Sequence, residues 1–94
     1  MIYEIKQSSQ FKRDFKTCLK RGLDYLKFAE VVDLLRNGST LPIKYKDHPL
    51  QDTKNYKNCR ELHISPDWLL VYKYSRDYLI LYLIRTGTHS DLFD

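Results

Sequence analysis

Cysteine is scarce in this chain of 94 residues, with Cys18 and Cys59 the only two. They form no CxxC pair, so neither a disulfide framework nor a cysteine-rich zinc module is expected, and both thiols are read as reduced. Glycine is equally thin. Three isolated glycines cannot build a phosphate-cradling loop, which excludes the common nucleotide-binding motifs. No apolar run approaches the ~20 residues of a membrane helix. The opening stretch MIYEIKQSSQ lacks the apolar core and cleavage site of a secretory signal. A cytoplasmic protein with no membrane contact is the expectation. No repeat, low-complexity tract or linker interrupts the chain, so residues 1–94 are read as one domain.

What is present is balanced and basic. Hydrophobic residues make up 43% and charged residues 30%, a globular composition, with a net charge of +4. The charge is uneven. Residues 1–22 carry six Lys or Arg against two acids, and residues 44–60 carry five against two. Two basic segments on a small domain fit either a polyanionic partner such as RNA or DNA, or solvated helix faces.

The apolar periodicity orders the elements. MIYEIK alternates as a strand. Ser9 reads as a helix N-cap, followed by Phe11, Phe15, Cys18 and Leu19 at helical spacing up to Gly22. The opposite face of that helix carries Lys12, Arg13, Lys16 and Lys20. A second helix starts near Asp24 and stops at Gly38. Residues 39–58 hold two prolines and many polar side chains and read as loop. CRELHI alternates as a strand, with Leu62 and Ile64 on one face and Cys59, Glu61 and His63 on the other. SPD is a turn. WLLVYKY and YLILYLIR flank SRD as a hairpin. The expected architecture is α+β: an N-terminal strand, a two-helix hairpin, then a three- to four-stranded antiparallel sheet. The helices cover one face and leave the other for a ligand.

The three histidines, His48, His63 and His89, fall in a loop, at a strand end and after the last strand. In an antiparallel meander such positions can converge. Asp67 lies in the turn after His63, where it serves either the turn itself or the site. Trp68 is either core or a ligand contact. Arg85 closes a strongly apolar strand, where a buried cation needs a protein partner unless it faces an anion site. Phe93 either staples the tail or lies beneath a nucleobase. Three His with Asp can also ligate zinc, though spacings of 15 and 26 residues match no short zinc motif. A Cys59–His63 nucleophile pair has nothing nearby to lower the thiol's pKa.

One further reading is metal-free acid–base chemistry on RNA. RNA brings its own nucleophile, the 2′-hydroxyl. The protein then needs a base for the 2′ proton, a cation for the charge building on phosphorus, and an acid for the leaving 5′-oxygen. Imidazoles titrate in the right range for the first and last, and a guanidinium is permanently charged. His48, His63, Asp67, Arg85 and His89 meet this list, but spacing alone leaves it one reading among several.

YKDHPLQ, HISPDWLLVYK and RTGTHSDLF, in that order, resemble the YafQ branch of the RelE/ParE toxins of bacterial type II toxin–antitoxin systems. The likeness extends over essentially the whole chain, with SSQFKRDFK similar to the start of the family's first helix and LPIKYKDHPL to its loop. NYKNC departs from the Gly/Trp-containing stretch the family leads one to expect. The resemblance implies a compact microbial ribonuclease that cuts messenger RNA in the ribosomal A site. It implies no cofactor and no metal. It also implies an antitoxin partner, acidic at the segment that wraps the toxin, and a toxin–antitoxin heterotetramer. The family's catalytic groups fall on His48, His63, Asp67 and His89, with His89 the first choice for the leaving-group acid. Its phosphate-binding arginine falls on Arg85 and its terminal aromatic on Phe93. Trp68, Lys12, Arg13 and Lys16 complete the expected RNA-binding set. The competing readings are a ParE-like, non-catalytic toxin of DNA gyrase and a basic nucleic-acid-binding module.

Overall fold

The structure, a computed structural model, describes residues 2–93. Met1 of the expected first strand and Asp94 lie outside the described residues. The elements run β1 (Glu4–Gln7), α1 (Ser9–Lys20), α2 (Tyr25–Arg36), a 3-10 turn (Ile43–Tyr45), β2 (His48–Pro49), β3 (Arg60–Ser65), β4 (Trp68–Ser75), β5 (Ile80–Gly87) and α3 (His89–Phe93). The expected α+β architecture is present, and the sheet is larger than the sequence suggested. It has five strands in the order β1-β5-β4-β3-β2. β1 runs parallel to β5, and the other pairs are antiparallel, so the sheet is mixed. The parallel pair forms because the α1–α2 excursion returns the chain to a far strand, a choice local alternation cannot encode.

Ser8, not Ser9, caps α1. Its hydroxyl accepts from the Phe11 N–H at 2.9 Å and donates to the Ile84 carbonyl at 2.7 Å. One side chain thus starts the helix and ties it to β5. Asp24 caps α2 as expected, accepting from the Leu26 N–H. α1 and α2 cover one sheet face, where Phe11, Val31, Leu35, Leu62, Leu70 and Leu81 are buried.

Trp68 belongs to this layer. It is 1% exposed, lies 6.4 Å from the Phe28 ring at 18°, and donates from Nε1 to Thr86 Oγ1 at 2.9 Å. The Thr86 hydroxyl passes the bond on to the Leu69 carbonyl. The assignment of Trp68 to RNA is therefore corrected: its polar atom is spent inside the protein and no face of its ring meets solvent.

The second face carries a smaller cluster of Cys59, Leu69, Val71 and Leu92. Directly opposite residues on paired strands share a face. Here His48 faces Glu61, Glu61 faces Val71, and Val71 faces Arg85, which draws a row across the sheet that is polar except at Val71. Beside it the register shifts, pairing Tyr72 with Leu83 and leaving Ile84 as an extra residue on β5.

Truncating Trp68→Ala removes the largest buried side chain and takes from the buried Thr86 Oγ1 the N–H donor it accepts from. Urea denaturation is expected to give a loss of about 3–5 kcal/mol.

Candidate active site

The centre of the second face is Glu61, which sequence reading placed on the right side of β3 but did not nominate. It is only 4% exposed. Its Oε1 lies 3.5 Å from His48 Nε2 and 4.0 Å from His63 Nε2, and its buried Oε2 has no hydrogen-bond partner among the described residues. A carboxylate taken from water without full pairing is costly, and such groups persist where a function requires them. The signal was in the sequence: alternation in RELHIS puts Glu61 beside His63 and opposite Leu62 and Ile64, an acid on an otherwise imidazole-bearing face.

Each histidine is oriented by its other nitrogen. His48 Nδ1 lies 2.8 Å from the Lys46 carbonyl, so Nδ1 carries a proton and Nε2 turns to Glu61. Lys46 holds a left-handed conformation, with φ at 50°, and the next residue locks the loop. Asp47 accepts from Arg60 Nη2 at 2.9 Å and from the Tyr72 hydroxyl. Burial, then this bond to Asp47, pushes the Tyr72 hydroxyl well up, so it stays a neutral donor. His63 Nδ1 faces the Pro66 carbonyl at 3.4 Å.

His89 opens a short helix, α3, that the sequence reading did not assign. THSD is the capping signal: Thr88 Oγ1 accepts from the Asp91 N–H, and Asp91 accepts from the Thr88 N–H. Arg21 at the end of α1 clamps Asp91 at 2.6 Å. Gly87 leaves room for this, since a Cβ there would sit 2.8 Å from Asp91 Oδ2. Asp67 then takes both the backbone N–H of His89, at 3.2 Å, and its Nδ1, at 3.1 Å. Those two bonds hold the Asp67 carboxyl below its ordinary value. They also leave His89 Nε2 directed away from Asp67. The His63 and His89 rings are 5.7 Å apart, and donor atoms of Glu61, His63 and His89 all lie within 4.8 Å of one another.

All four expected catalytic groups thus stand along one connected line: His48, Glu61, His63, His89, Asp67. Phe93 is adjacent, 45% exposed, with its ring 6.5 Å from His89 and 6.2 Å from Tyr56. Of the two alternatives for Arg85, a protein partner or an anion site, the structure supplies the partner. Asp14 of α1 accepts from its Nε at 2.7 Å and Nη2 at 3.2 Å, and also from the Thr86 N–H. One guanidinium edge remains, with Nη1 3.5 Å from the Tyr56 hydroxyl. Asp14 and Tyr56 were missed because such pairings span 71 and 29 residues of sequence. Lys12, Arg13, Lys16 and Lys20 are exposed along α1.

Residues 3–94 match the family model described as bacterial toxin of type II toxin–antitoxin system, YafQ. The chain belongs to the YafQ toxin family. It is 43% identical over 91 residues to the mRNA interferase toxin YafQ of Escherichia coli B/BL21-DE3, covering 96% of this chain and 95% of that protein. The toxin in the crystal structure of the E. coli DinJ–YafQ toxin–antitoxin complex superposes with a TM-score of 0.88 at 40% identity, covering all of both chains. A metal-bound toxin from Helicobacter pylori gives 0.89 at 41%, over 99% of this chain and 100% of that one. In this YafQ-family chain the donor set that fits a metal is Glu61, His63 and His89, two imidazoles and a carboxylate, in place of the three His plus Asp weighed from sequence.

The Arg21–Asp91 clamp makes the tail acid-sensitive. Hydrogen bonds from Arg21 and then from Thr88 hold the Asp91 carboxyl down to about 2, against an ordinary 3.8. A depressed carboxylate stabilises fully above its ordinary value, and that contribution is lost as pH falls toward the folded one. Protection of the amides of residues 88–93, measured against their intrinsic exchange rates at each pH, is therefore expected to fall as pH drops from about 4 to 2. Arg21→Met moves that loosening to higher pH.

Proposed function

We propose that this chain is a toxin endoribonuclease that cuts messenger RNA in the ribosomal A site, through the RNA's own 2′-hydroxyl and without a metal. The observation that carries the reading is the buried Glu61 carboxylate with one oxygen unpartnered, within reach of two imidazoles whose other nitrogens are already fixed.

Glu61, with His63 beside it, takes the 2′ proton. His89 gives a proton from Nε2 to the departing 5′-oxygen, while Asp67 fixes its ring through Nδ1. Acceptor and donor atoms this close can serve the two oxygens on either side of one phosphorus. His48 supports the phosphate and shares the proton network through Glu61. The remaining edge of Arg85 meets the non-bridging oxygens, with Asp14 holding the guanidinium in place. Phe93, half in solvent, stacks on a nucleobase. Lys12, Arg13 and Lys16 grip ribosomal RNA phosphates by counterion release.

A divalent ion bound by Glu61, His63 and His89 would supply Lewis-acid chemistry at the phosphate. In this reading those three side chains are instead the proton carriers. A cognate antitoxin is the protein partner, and an acidic segment that folds on the basic surfaces would block the site. Among the described residues no helix is long and apolar enough to cross a membrane. The convergence of imidazoles on one carboxylate weighs against both a non-catalytic gyrase poison and a plain basic module, because neither needs it.

Expression in cells with mapping of message ends tests this. The parent is expected to arrest growth and cut in frame. His89→Ala and Glu61→Gln are each expected to lower cleavage by about 10²–10⁴-fold, and Arg85→Ala to lower it strongly. Chelation by EDTA at constant ribosome integrity should leave the rate unchanged. Undiminished toxicity of His89→Ala would refute the assignment.

A further inference from the structure

A second cavity, of about 440 Å³, shares a wall with the candidate active site. That wall is His63, whose Nε2 faces Glu61 and which is also one of the residues that line the cavity. Three lysines rim it: Lys27 from α2, and Lys44 and Lys46 from the 3-10 turn and its exit. Its floor is apolar, formed by Tyr45 and Ile64, both buried. The single acid on the rim, Glu30, accepts a hydrogen bond from the Tyr45 hydroxyl at 3.4 Å. Lys44 Nζ stands 5.0 Å from the centre of the Tyr45 ring.

Nothing in the acid–base cluster uses this cavity. Its chemistry is nevertheless that of one nucleotide: a flat apolar surface under a rim with an excess of ammonium groups. A strand whose scissile phosphate lies at Glu61, His63 and His89 must continue on both sides of that phosphate. One continuation passes His63.

We propose that this cavity is a subsite for the nucleotide one step beyond the two that the cleaved bond joins, with Lys27 and Lys44 binding its phosphate and the Tyr45–Ile64 floor supporting its base. The inference rests on the nuclease reading and adds to it residues that set affinity for the flanking RNA. Lys46 is left out of the test because its backbone carbonyl holds His48.

The test uses the full chain, ¹⁵N-labelled, with fluorescent 2′-O-methyl oligoribonucleotides, which lack the nucleophile and cannot be cut. A dinucleotide is compared with trinucleotides extended by one residue at the 5′ or the 3′ side. One of the two extensions is expected to bind the parent about tenfold more tightly than the dinucleotide and to shift the amide signals of Tyr45, Ile64 and Ser65. In Lys27→Gln/Lys44→Gln that gain should fall to within about twofold, and the salt dependence should shrink by about 0.7 in slope per lysine removed. The variant should bind the unextended dinucleotide like the parent, which certifies its fold.

If neither extension gains, or if the variant keeps the gain, the subsite is refuted while the nuclease reading stands. A variant that keeps the RNA gain but loses affinity for polyglutamate would assign the cavity to an acidic protein segment, and the proposal fails. If the dinucleotide leaves the signals of Glu61, His63 and His89 unmoved at millimolar concentration, the nuclease reading itself fails, and the subsite with it.

Discussion

A carboxylate buried in a sheet, with imidazoles its only ion-pair partners among the described residues, is the constraint around which this molecule is arranged. Glu61 cannot be left in apolar surroundings, nor is it neutralised by a guanidinium or an ammonium. It gains what it has from His48 and His63, which approach from two neighbouring positions of the same face. The cost of that burial is met by the larger core on the far side, where α1 and α2 close over β3, β4 and β5. In the proposed reaction Glu61 receives the proton with its Oε2 free of a competing hydrogen bond among the described residues.

The rest of the polar structure keeps the neighbours of Glu61 in position. Asp47 ties the His48 loop to β3 and β4 through Arg60 and Tyr72. Asp67 holds His89 from the turn that opens β4. Arg21 holds Asp91, so the helix that carries His89 is anchored to α1 and not left to fray. Asp14 fixes Arg85 and also accepts from the Thr86 N–H of β5. Asp47, Asp67, Asp91 and Asp14 thus hold the side chains around Glu61 in place. Because several are ion pairs near the surface, each alone contributes modestly to stability. Their value is geometric, since a small misplacement of a proton-transfer group is expensive in rate.

Much of this was legible in the sequence. The helices followed from their apolar spacing and their capping or terminating residues, apart from a one-residue shift to Ser8 that a contact with Ile84 decides. Alternation placed Glu61 and His63 on the functional face, and motif likeness brought His48, Asp67, His89, Arg85 and Phe93 to one region. Three things were not legible. The β1–β5 parallel pair and the short β2 depend on where the chain returns, and Pro49 hides the latter in a polar loop. The partners of Arg85 are set by tertiary packing between α1, the loop and β5. The role of Glu61 emerges only with its burial, because an alternating acid on a strand reads equally well as a solvated one.

The chemistry of the cut ends bears most directly on the claim that Glu61 and the imidazoles activate the RNA's own hydroxyl. Mass spectrometry of the fragments released from programmed ribosomes should find 2′,3′-cyclic phosphate or 3′-phosphate on the upstream piece and a 5′-hydroxyl on the downstream piece. Upstream 3′-hydroxyls with downstream 5′-phosphates would mean that water, not the neighbouring 2′-oxygen, attacks the phosphorus, and would contradict the account.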